Sequence, residues 1–162
     1  YYFRRKEDLY GEVLRSISDR LLRYVRAAVR RSDSPARQFE DVFLGLYTHA
    51  REDPQDNRLL MRELLDNPSR ANTVKDWYLR PFLGEIVALL QRFDGFESVD
   101  DASAFSMVYQ LLGSIEYFGI SDATLQRMYD SETYERIRDE FPVELRSQIH
   151  RLLASRQPAA PV

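Results

Sequence analysis

Tyr1-Tyr2-Phe3-Arg4-Arg5-Lys6-Glu7-Asp8-Leu9-Tyr10, followed by Val13-Leu14, is the stretch that decides how this chain is read. Aromatic residues crowd its start, and beyond it apolar residues recur at helical spacing. Leu14, Ile17, Leu21, Tyr24, Val25 and Ala28 continue one stripe, so a long first helix is predicted over about 6–31. Charge is unevenly spread. Residues 1–31 hold nine Lys/Arg against four Asp/Glu, a net of +5, while the remainder carries −8. A basic end on an acidic body suits a protein that presents that end to a polyanion. A long helix with a solvated basic face is the plainer explanation of the same charges.

Outward from this stretch the helical pattern continues. Asp33-Ser34-Pro35 gives a stop and a new start, with Ser34 as N-cap and Pro35 in the first helical position, where its missing N–H costs nothing. The second helix carries Phe39, Val42, Phe43, Leu46, Tyr47 and Ala50 at full i, i+3, i+4, i+7 spacing. Asp53-Pro54 opens a short helix with Leu59, Leu60 and Leu64, ending near Asn67-Pro68. Residues 71–93 read as a helical segment, and Pro81 in its middle predicts a kink or break near Leu79-Arg80. After Asp94-Gly95, Asp100 caps a helix expected to run through Phe118. Residues 121–140 read as one or two short helices, and Pro142 as the start of a last helix. The tail, residues 156–162, is expected to be disordered. With no convincing strand alternation, the fold class is all-α.

The opening stretch resembles the end of the DNA-binding domain in tetracycline-repressor-type transcriptional regulators. In that family a recognition helix closes on a tyrosine-rich step and a Phe, two residues turn, and Lys-Glu-x-Leu opens the long helix that joins the DNA-binding part to the regulatory part. Phe3, Lys6, Glu7 and Leu9 fall on this pattern. Leu59-Leu60-Met61-Arg62-Glu63-Leu64 resembles the family's short helix after the second ligand-domain helix. Gly95-Phe96 with Val99-Asp100 resembles the turn before its dimerisation helix. The resemblance implies the end of a helix-turn-helix domain and the start of the connecting helix over 1–14, with most of that domain lacking. It implies a tetracycline-repressor-like ligand-binding and dimerisation domain over 15–155. The function it implies is a repressor released from operator DNA by a small hydrophobic or aromatic effector.

The residue types suit those roles. Phe3 and Leu9 would be buried, closing the small DNA-binding domain over its core. Lys6 at a helix start opposes the helix dipole, but a phosphate there would be welcomed by the free N–H groups and the Lys charge together. The hydroxyls of Tyr1 and Tyr2 can donate to phosphate oxygens, which positions a protein on DNA without reading bases. Tyr1, Tyr2 and Lys6 are therefore the expected DNA-backbone contacts.

For an effector, the expected pocket residues are Phe43, Tyr47, Met61, Trp77, Tyr78, Phe82, Phe105 and Tyr109, on the helices that enclose the family's ligand cavity; plain core packing explains most of these positions equally well. On the Asp100–Phe118 helix, Met107, Gln110, Gly113, Ser114 and Tyr117 form a row of mixed polarity with small residues, which suits a subunit interface. With Leu145, Ile149 and Leu152 of the last helix they are expected to build a homodimer through a four-helix bundle.

Enzyme chemistry has little to stand on. His49 and His150 lie a hundred residues apart, and no nucleophile elbow, phosphate loop or metal-ligand pair is visible. No catalytic residue, metal or cofactor is expected. Cysteine is absent, which removes disulfides and thiol chemistry. No apolar run approaches the roughly 18–20 residues a membrane span needs, and no signal peptide is visible. A cytoplasmic protein without a membrane partner is the expectation. The alternative function is a stand-alone helical ligand-binding or scaffold module without DNA binding.

Overall fold

The computed structural model describes residues 6–66 and 77–156. Among them the chain forms six helices and no strand: α1 (Lys6–Val29), α2 (Pro35–Glu52), α3 (Pro54–Asp66), α4 (Arg80–Gln91), α5 (Asp101–Met128) and α6 (Ser131–Ala154). Tyr1, Tyr2, Phe3, the side chains of Lys6 and Glu7, Asn67-Pro68 and the tail from Gln157 lie outside the described residues.

The helix starts follow local chemistry. Ser34 sits in extended conformation ahead of Pro35 and accepts the Arg37 N–H. Asp100 accepts the Ser103 N–H at 3.0 Å, and Asp130 accepts the Thr133 N–H at 2.9 Å. Each satisfies a first-turn donor that the helix itself leaves open. Gly95, at φ +88°, turns the chain between α4 and α5, and a Cβ there would overlap the Arg156 carbonyl oxygen at the end of α6. That turn seats Phe96 and Val99 in the core.

α2 packs against each of the other five helices. Its stripe explains this: Phe39, Val42 and Phe43 are wholly buried, with Leu46, Tyr47 and Ala50 close behind. Facing it are Ile17, Val25 and Ala28 of α1, Ile86, Leu89 and Leu90 of α4, Val108 and Ile115 of α5, and Ile149 of α6. Full burial of such side chains contributes about 1.5–3 kcal/mol each. α1 runs unbroken across position 14, so Leu14 and Ile17 belong to the same core.

The break expected near Leu79-Arg80 is the start of α4: Pro81 stands in its first turn, where a proline is tolerated. Two boundaries differ from the sequence expectation. α5 continues past Phe118 to Met128, and Gly119 within it sits at a close helix crossing: a Cβ there would stand 2.7 Å from Asn57 Nδ2 and 3.4 Å from Ala50 Cβ. α6 begins at Ser131, and Pro142 lies inside it. Proline leaves the carbonyl four residues earlier, that of Arg138, without its helical donor. The Tyr47 hydroxyl donates to that oxygen at 3.0 Å.

Candidate functional site

Residues of α3, α4 and α5 line an apolar cavity of about 900 Å³. Small residues make the space. Gly84 and Ala88 of α4 and Ala102 and Gly113 of α5 line it, and a Cβ at Gly84 or Gly113 would meet nothing within 4 Å. Larger walls come from Leu60, Met61 and Leu64 of α3, Phe82, Leu83 and Val87 of α4, and Leu21 of α1. On α5 the lining follows one helical face: Ala102, Phe105, Tyr109, Gly113, Glu116 and Tyr117. Phe105 and Tyr109 stack with ring centroids 5.1 Å apart. Trp77, Tyr109 and Tyr117 keep much of their surface exposed, so the cavity is open to solvent.

The polar groups of the lining differ in their partners. At one end Gln91 Nε2 donates to the Val99 carbonyl at 2.9 Å and to Asp101 Oδ1 at 3.0 Å. Glu116 is different: its Oε2 is buried and has no hydrogen-bond partner among the described residues. Burial pushes its carboxyl up to about 7, because the charged form loses hydration that nothing replaces.

Of the residues expected to form a pocket, Met61, Trp77, Phe82, Phe105 and Tyr109 line this cavity. Phe43, Tyr47 and Tyr78 do not. Phe43 packs on Phe39 inside the core. Tyr47 stacks on Phe141 at 5.3 Å and is committed to α6 by its hydroxyl. Tyr78 faces α1: its carbonyl accepts the Ser18 hydroxyl, its ring lies under Arg15 at 5.2 Å, and its hydroxyl lies 2.8 Å from where a Gly11 Cβ would stand. Trp77–Leu79, the cavity wall preceding α4, is thereby fastened to the first helix.

Among the residues expected at a dimer interface, Gly113 and Tyr117 line the cavity. Leu145 and Ile149 are buried within the protomer, turned inward by the α6 stripe that meets α2. Met107 and Leu152 are half-buried against the same core, Ser114 is half-buried, and Gln110 is exposed. Leu9, expected to be buried, is 46% exposed.

The basic excess at the N-terminal end is partly neutralised within the fold. Arg20 donates to both carboxylate oxygens of the buried Asp56 at 2.6 Å, and Arg26 pairs with Glu85. His150 and Arg146 of α6 both meet Glu40 of α2, at 2.7 and 2.8 Å. Among the described residues no cluster of His, Asp and Glu is placed to hold a metal, and no helix is long and apolar enough to cross a membrane.

Glu116 was absent from the sequence expectation, although a signal existed: it is the one charged residue between Asp101 and Asp122. A carboxylate on an otherwise uncharged stretch must find a partner, a solvent path or a cavity. Compared with protein-family models, curated proteins and solved structures, the chain matches none.

Proposed function

We propose that this chain is the ligand-binding and dimerisation body of a ligand-responsive DNA-binding regulator of the tetracycline-repressor type, a repressor released from its operator when a small hydrophobic or aromatic effector fills the cavity. The observation that carries the reading is the sharing of α1. Leu21 of α1 lines the cavity, and Tyr78, fastened to Gly11, Arg15 and Ser18, ties the wall beside Trp77 to the same helix. An effector that moves Trp77–Leu79 or α4 therefore acts on the helix whose far end carries Lys6 and the exposed Leu9. A DNA-reading head would dock on that end. Recognition of two half-sites depends on the spacing of two such heads, so tilting α1 in each subunit changes affinity. The homodimer would form through α5 and α6, using Met107, Gln110, Ser114 and Leu152.

A second reading, a helical ligand-binding or scaffold module without DNA binding, is favoured by the pairing of Arg20 and Arg26 with acids of the same fold, which removes part of the basic end from any polyanion. A salt series separates the two. The protein carrying the residues upstream of Tyr1 should bind duplex DNA with an affinity that falls steeply with salt. Lys6→Ala should lower that slope by roughly one unit for each phosphate that Lys6 neutralises. Salt-independent or absent binding would favour the second reading.

A further inference from the structure

The cavity has one feature that a hydrophobic effector alone leaves unexplained. Glu116 lines the cavity in a wall built mostly from apolar and aromatic side chains, and its Oε2 is buried with no hydrogen-bond partner among the described residues. Removing an acceptor from water with nothing to replace the hydration is unfavourable, and more so for a charge. The other charged groups of the lining are Arg80 at the start of α4 and Asp101 at the start of α5, and the lining residues from α1 and α3 carry no charge. Burial raises the Glu116 ionisation, because the charged form loses hydration that nothing replaces. On the same face of α5 stand the rings of Phe105, Tyr109 and Tyr117.

We propose that the cavity selects a lipophilic organic cation, an ammonium head on an aromatic or aliphatic body, with the Glu116 carboxylate as counter-ion and the α5 rings as its cation-binding walls. The inference rests on the cavity being the effector site. About 900 Å³ accommodates a drug-sized body. Aromatic faces attract a desolvated cation, and an ammonium offers the carboxylate the charge it lacks. Binding is also coupled to protons. A permanent cation needs Glu116 ionised, so its affinity should rise with pH through about 7 and level off above it. Between pH 8 and pH 6 the ionised fraction falls about tenfold, and the apparent affinity falls with it.

The test compares two probes by Trp77 fluorescence and calorimetry: trimethyl(biphenyl-4-ylmethyl)ammonium, charged at every pH, and its uncharged carbon isostere 4-neopentylbiphenyl. The cation should bind more tightly at pH 8, and lose about tenfold in affinity by pH 6. Glu116→Gln should weaken the cation by about ten- to hundredfold and abolish its pH dependence, while leaving the isostere unchanged. Because the substitution removes an unpartnered carboxylate, the melting temperature of the variant should equal or exceed that of the parent protein. Equal affinity for both probes, or a cation indifferent to Glu116→Gln, overturns the cation proposal and leaves the cavity as an effector site. Failure of both probes overturns the cavity reading along with it. Cation affinity that drops as protein concentration rises, alongside a doubled sedimenting mass, would give the cavity mouth to a second copy and equally overturn the proposal.

Discussion

Replacing Tyr47 by Phe keeps the ring that stacks on Phe141 at 5.3 Å and lies 6.0 Å from Phe118, and removes only the hydroxyl. That hydroxyl is the donor to Arg138 O, an acceptor which Pro142 has stripped of its helical partner. Burial raises the Tyr47 ionisation further, so the group is a neutral donor throughout the ordinary pH range. Losing one such bond and leaving the carbonyl partly desolvated should cost about 1–2 kcal/mol. In a chain of this length that is a fall of roughly 2–8 °C in melting temperature. The decisive arm is the double variant. Pro142→Ala returns an N–H to the helix, which can then serve Arg138 O itself. In that background Tyr47→Phe should cost little, giving a coupling energy of about 1 kcal/mol in a double-mutant cycle. Urea unfolding at fixed protein concentration measures all four species. Equal costs of Tyr47→Phe in both backgrounds would refute the view that the tyrosine substitutes for the proline's missing donor.

Gly113→Trp projects an indole into open space and should abolish probe binding in the cavity while changing stability by under about 1 kcal/mol, read by fluorescence and urea unfolding. Glu40 has its ionisation lowered: burial pushes it up, but the hydrogen bonds from His150 and Arg146 and their charges outweigh it. A lowered acid stabilises above its unfolded-state ionisation and loses that contribution as pH falls through the folded value. Glu40→Gln should therefore reduce stability at neutral pH, and the gap to the parent protein should close in acid below the ordinary carboxylate range; a gap constant with pH would show that the ionisation of Glu40 contributes nothing.

The parts of the fold legible in the sequence are those set locally. Ser34-Pro35 and Asp53-Pro54 mark real helix starts because capping and proline placement act within one turn. The misread parts were decided at a distance. α5 runs past its expected end at Phe118, and the next residue, Gly119, crosses Asn57 and Ala50 where a side chain would not fit. Pro142 looks like a start until Tyr47, from another helix, satisfies the carbonyl it exposes. Asp130-Ser131-Glu132-Thr133 did carry a local signal for the true start of α6, an acidic cap three residues ahead of the N–H it accepts. At the candidate site, Phe105 and Tyr109 were assigned to a pocket and Gly113 and Tyr117 to an interface. Successive steps of four put all of them on one helical face, and all line the cavity. What sequence periodicity does not encode is whether an apolar face meets a neighbour, as Phe43 does, or a void.

The most direct measurement is DNA affinity with the cavity empty and filled. The chain, extended at its N-terminal end by the DNA-reading head that this proposal requires, would be titrated onto a duplex recovered by selection from random sequence, with and without a compound that changes Trp77 fluorescence. Saturating the cavity should weaken DNA binding by about 5- to 150-fold, the range typical of coupled sites. By reciprocity the DNA should weaken the compound by the same factor. Gly113→Trp should remove the effect by blocking the cavity. Unchanged DNA affinity at full occupancy would contradict the proposed control of DNA binding through α1.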